Sequence, residues 1–202
     1  MEEKLMRSIQ KLFFAATLAT FAVPAFSQSV PPGETVRDRK ENQQDRIANG
    51  TASGQLTAGE ATNLEKKESE LNQEERDMRK LDKGKLTAAE RATLNQQQNR
   101  LSRQIYRDKH NAAVQNTNPK SEVGKRQENQ QDRIAQGVKS GQLTAGEAAR
   151  LERHEAGVNH EIARDRAANG GKLTAQERAQ INRQENRNSR AIYRDKHNGR
   201  KQ

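Results

Sequence analysis

The chain has 202 residues, 37 basic against 27 acidic, a formal net charge of +10 and only 3% aromatic residues. It has no cysteine, which excludes disulfides, thiolate metal sites and a cysteine lipid anchor, so helix formation and packing alone must hold it together. All four phenylalanines lie at or before Phe26, leaving Tyr106 and Tyr193 as the only later aromatics. Ordering backbone costs about 1–2 kcal/mol per residue, which argues against a thick globular core and for thin helical packing, self-association or partial disorder.

Residues 1–27 read as a secretory signal. Lys4, Arg7 and Lys11 make a positive start, and Leu12 to Val23 is an apolar run of about twelve residues, too short to span a bilayer. Pro24, Ala25, Phe26 and Ser27 form a small-residue exit, with cleavage expected after Ser27. The protein is therefore expected to be exported, to the periplasm or beyond the cell, with no transmembrane segment in the mature chain. Residues 28–40 hold a leader, with Pro31, Pro32 and Gly33, and the start of a first helix.

Residues 41–112 and 128–199 are two copies of one unit. Glu41 to Asn111 matches Glu128 to Asn198 at an offset of 87 without a gap, identical at about 60% of positions. Glu-Asn-Gln-Gln-Asp-Arg-Ile-Ala opens both copies and Ile-Tyr-Arg-Asp-Lys-His-Asn closes both. Between them, 113–127 reads as a flexible polar spacer around Pro119, and 200–202 as a basic tail.

Each copy divides into three helices. The first is expected near 36–49, stopped by Gly50. The second and third start after threonines that carry Leu-Thr-x-x-Glu: Thr57 with Glu60, Thr87 with Glu90, Thr144 with Glu147 and Thr174 with Glu177. Threonine at such a start accepts a bond from a free backbone N–H, and the glutamate reaches back to the threonine's own N–H. The expected apolar set in the first copy is Ile47, Leu56, Leu64, Leu71, Met78, Leu81, Leu86, Leu94, Leu101 and Ile105, forming a narrow seam. In the second copy Asn188 replaces Leu101 and Gly157 replaces Glu70, which predicts a looser unit. The fold class is thus all-α: two tandem three-helix repeats with thin, coiled-coil-like packing, either docked on each other or dimerised.

The Leu-Thr-x-x-Glu runs resemble the Leu-Thr-x-x-Gln motif of the Spy and CpxP type of periplasmic helical proteins. That resemblance implies a small, exported, all-helical envelope-stress protein or holdase chaperone, with the motif on helical hairpins of a cradle-like dimer. It assigns no functional residue. The same stretches, from Gly54, Gly84, Gly141 and Gly171, are similar to the back half of an EF-hand loop, which implies a degenerate metal binder. The early ligand positions hold Asn49, Thr51 and Ser53 in the first loop and Arg79, Leu81 and Lys83 in the second, without a carboxylate.

No nucleophile pairs with a histidine, and His154 and His160 are six apart, so no enzyme, cofactor or metal site is expected. The abundant acids, Glu65, Glu68, Glu70, Glu74 and Glu75 among them, are expected at the surface, some in pairs such as Glu75 with Arg79. The closing helix of each copy offers a basic-aromatic face, Arg100, Arg103, Tyr106 and His110, repeated as Arg187, Arg190, Tyr193 and His197. Read plainly, the tyrosine packs on a neighbouring helix while the histidine ends its own; read functionally, the face touches an anionic envelope surface or a protein. With 13 basic and 12 acidic groups in 41–112, specific nucleic-acid recognition is not expected. The functional expectation is a non-enzymatic interaction or envelope-stress protein.

Overall fold

A computed structural model describes residues 35–115 and 120–201; the signal reading of 1–27, with its export expectation, and Pro119 lie outside them. Six helices account for the described fold, and no strand occurs among these residues. They are α1 (Val36–Ala52), α2 (Ala58–Leu81), α3 (Ala88–Lys109), α4 (Glu122–Lys139), α5 (Ala145–Ala168) and α6 (Ala175–Lys196). None is long and apolar enough to cross a membrane.

Local chemistry sets the helix starts. Thr57, Thr87, Thr144 and Thr174 each accept the N–H of the glutamate three residues on, and each glutamate accepts the threonine N–H, at 2.9, 2.7, 3.0 and 2.8 Å. Thr35 and Asp38 make a fifth such pair at the start of α1. Ser121 caps α4, which therefore takes in residues 122–127, placed in the spacer from sequence. Val123 and Gln127 are buried there, so packing recruits that stretch into the helix.

Gly50 does not stop α1. The helix runs to Ala52, and the left-handed turn falls at Gly54, φ +69°. Gly50 and its counterpart Gly137 are instead places of close approach: an added Cβ would sit 2.8 Å from Leu56 and 2.6 Å from Leu143. Each glycine lets the loop leucine after it fold back against the helix.

The helices pack within each half, and the halves pack on each other through α2 against α5 and α1 against α4. Both of these contacts pair an element with its own duplicate, as in an isologous dimer with an approximate two-fold axis. Ala48 of α1 joins the cluster holding its duplicate Ala135, with Ile134, Val138, Leu143, Ala148, Leu151 and Ile192. A second cluster holds Ile47, Leu56, Leu64, Leu101 and Ile105, and a third Val123, Val158, Ile162 and Ile181.

The expected seam of α2 fades along its length. Leu64 is fully buried, Leu71 and Met78 are half-buried and Leu81 is 82% exposed. Gln44 meets Glu65 and Lys40 faces Glu68, so α1 runs antiparallel and its first residues lie opposite Asn72. Beyond that point α2 has lost the cover of α1.

Candidate functional site

The buried stripe of α2 is Ala61, Leu64, Glu65, Glu68 and Asn72, and two of its members are glutamates. Their duplicates on α5, Glu152 and Glu155, are buried as well. Glu65, Glu68 and Glu152 are 1% exposed and Glu155 0%, so Glu65 and Glu68, expected at the surface, belong instead to a buried layer in which Glu65 and Glu152 face each other across the contact of the two halves. Glu185 of α6 joins it, standing where the first copy has Gln98. Glu75 does pair with Arg79, at 2.8 Å.

Amides, not cations, hold the layer. Gln44 Nε2 donates to Glu65 Oε2 at 3.2 Å, and its duplicate Gln131 donates to Glu152 Oε2 at 2.9 Å. Asn188 Nδ2 donates to Glu155 Oε1 and, at 3.2 Å, to Gln130 Oε1. One oxygen each of Glu65, Glu68, Glu152 and Glu155, both of Glu185, and the side-chain oxygens of Gln44 and Asn188 have no partner. Among the described residues every buried side-chain polar atom left without a partner is an acceptor oxygen. The deficit is one of protons.

Electrostatics agree with that count. Burial holds Glu65 and Glu155 well above the usual carboxylate range, with repulsion from Glu68 and Glu152 adding for Glu65 and from Glu185 and Glu152 for Glu155. Burial pushes Glu68 to about 8 against the pull of Lys40, and Glu152 to about 8 against the bond from Gln131. It takes Glu185 to about 7, opposed by Gln130 and Arg126. Glu147 is the internal control. It is 2% exposed, and burial alone would raise it too, but bonds from the Thr144 N–H, Asn198 and the Thr144 hydroxyl bring it below the ordinary value. Where donors are supplied in number, they outweigh the effect of burial.

The second candidate lies on the outside. Arg100, Arg103, Tyr106 and His110 are all exposed, as are Arg187, Arg190, Tyr193 and His197. The tyrosines do not pack on a neighbouring helix: Tyr106 is 49% and Tyr193 62% exposed. Each stacks on the histidine one turn later, ring centroids 4.2 and 4.1 Å apart, and each histidine caps its helix. Of the acids on these helices, Glu90 and Glu177 serve in caps, Glu185 and Asp195 are buried, and Asp108 accepts from Gln104 of its own helix. Arg107 continues the α3 row at helical spacing, and Arg183 and Arg194 extend the α6 row to four arginines on one stripe. Arg194 pairs with the buried Asp195 at 3.3 Å, while Arg100, Arg103, Arg107, Arg183, Arg187 and Arg190 have no carboxylate partner among the described residues.

His154 and His160 are exposed on α5. Glu60, Glu90, Glu147 and Glu177, the last positions of the EF-hand-like stretches, are occupied by their caps, and no metal-ligating group of three converges among the described residues. The buried acids were missed although a signal existed: Ala61, Glu65, Glu68 and Asn72 keep the four-three-four spacing of a buried stripe. No protein-family model, no curated protein and no solved structure matches this chain.

Proposed function

We propose that the protein is a non-enzymatic, exported interaction protein that binds anionic surfaces through the arginine–tyrosine stripes of α3 and α6. One observation carries the reading: exposed arginines without carboxylate partners among the described residues line the same face of both helices. Each buried glutamate that stays protonated also adds one to the formal net charge of +10. Guanidinium forks suit phosphate oxygens, and an exposed tyrosine suits the interfacial zone of a headgroup layer.

The test is co-sedimentation with phosphatidylglycerol vesicles beside phosphatidylcholine vesicles. A surface-bound arginine contributes about 1 kcal/mol at low salt. R187A/R190A should therefore weaken binding to the anionic vesicles about thirtyfold, with loss on added salt. Unchanged binding by R103E/R190E would remove the reading. The holdase alternative has less to stand on, because the exposed large apolar side chains are Leu81, Tyr106, Val114 and Tyr193, scattered and few.

A further inference from the structure

We propose that the glutamate layer between α2 and α5 is a pH-sensitive clasp, which holds the two halves together while its carboxyls carry protons and lets them part as those protons leave. The inference does not rest on the anionic-surface reading.

Placement comes first. Glu65 and Glu152 are duplicates of each other that lie close enough across the α2–α5 interface to repel, so Glu65 meets its copy near the approximate two-fold axis. Glu68 and Glu155 lie one helical turn further along the same faces. Ionising Glu65 and Glu152 thus sets like charges against each other at the seam that joins the halves.

Hydrogen-bond supply comes second. The unpartnered atoms of the layer are all acceptors, on Glu65, Glu68, Glu152, Glu155 and Glu185 and on the amides of Gln44 and Asn188. A carboxylate adds acceptors to a region that already has too many, whereas a carboxylic acid O–H is the donor that is lacking. The facing groups do not change this. From α1 come Gln44 and Lys40, from α4 Gln130, Gln131 and Arg126, and from α6 Glu185 and Asn188. Lys40 and Arg126 stand beside Glu68 and Glu185, leaving Glu65, Glu152 and Glu155 with amide donors.

Water reaches the edge of the layer. Two equivalent clefts, about 460 and 320 Å³, lie where the end of one first helix meets the start of the other. Gln44 lines one and Gln131 the other, and these are the amides bonded to Glu65 and Glu152. Protons can exchange there without unfolding of the halves.

The sign follows from linkage. The folded-state values stand above the ordinary 4.5, reaching about 8 for Glu68 and Glu152 and about 7 for Glu185. The folded state therefore binds more protons than the unfolded one. The stabilisation is complete below about pH 4.5 and drains away as pH rises through about 7 to 8. That is the reverse of ordinary acid denaturation.

The experiment uses the full chain, with cysteines placed at the exposed and equivalent Thr93 and Gln180; no native cysteine interferes with spin labelling. Urea unfolding and the distance between labels are followed from about pH 5 to about pH 9. The urea midpoint should fall across this interval and the distance distribution should lengthen and broaden. E65Q/E68Q/E152Q/E155Q, neutral and able to donate, should flatten both responses, and E65Q/E152Q should flatten them partly. A midpoint that is level or rises with pH overturns the proposal. So does a label distance that stays fixed while the midpoint falls, or a glutamine variant that keeps the full pH response or fails to fold at about pH 5.

Discussion

Two glycine-to-alanine changes, both inside helices, should move stability in opposite directions. Gly137 lies in α4 and Gly157 in α5. In an exposed helix interior the change is worth about 1 kcal/mol in favour of alanine. At Gly157 nothing lies within 4 Å of the added Cβ, so that gain should appear undiminished. At Gly137 the Cβ would lie 2.6 Å from Leu143 Cδ1 and 2.7 Å from its Cγ, and Leu143 is 0% exposed. Lys196 Cγ, at 3.3 Å, narrows the space further. Forcing extra volume into a packed site costs about 1–3 kcal/mol. Displacing Leu143 from its pocket would add up to about 2–3 kcal/mol of lost burial. G137A should therefore lose about 1–2 kcal/mol net and G157A gain about 1 kcal/mol. In a chain of this size that is a rise of about 3 °C in Tm for G157A and a fall of about 3–6 °C for G137A. Helical circular dichroism on heating and in urea measures both. If G137A proves as stable as the wild type, Leu143 is not held against α4, and the account of how the loops close each half fails. G50A, beside Leu56, should parallel G137A.

Asn188→Leu copies the residue that Leu101 supplies in the first half, yet it removes the donor to Glu155 and Gln130. It should cost about 1–3 kcal/mol, read from urea unfolding, and a variant as stable as the wild type would contradict the role given to that amide. Lys83 sits at φ +52°, where the second half has Gly170 at +61°. K83G should therefore raise the urea midpoint, by a few tenths to about 1 kcal/mol after the added freedom of the unfolded chain. A lower midpoint would mean that the turn carries no strain.

Helix starts were legible in the residues because capping is a local matter. Thr57 and Glu60 need only each other, and no distant segment can change the three-residue reach between them. The reach of the first helices was less so. Gly50 looks like a stop on composition, but a glycine inside a helix is tolerated when another side chain needs the space, and that need arises from Leu56, which lies beyond the helix end. Leu81 likewise continues the apolar spacing of α2 although no helix is left to cover it. Of the two readings open for the tyrosines, packing on a neighbouring helix is the one the structure does not bear out, since Tyr106 is 49% and Tyr193 62% exposed and each stacks on the histidine of its own helix.

By itself the amino-acid order determined an all-helical chain, its duplication, its threonine-led helix starts and the arginine rows of the closing helices, since each depends on spacing along one segment. Which face of α2 would meet α5 depended on docking between segments 87 residues apart. That docking, with α1 over α2 and α4 over α5, turned Glu65 and Glu152 from ordinary solvated acids into buried, proton-holding ones. A glutamate's charge is settled by the donors around it, and here they are amides of neighbouring helices in the same half, Gln44 for Glu65 and Gln131 for Glu152.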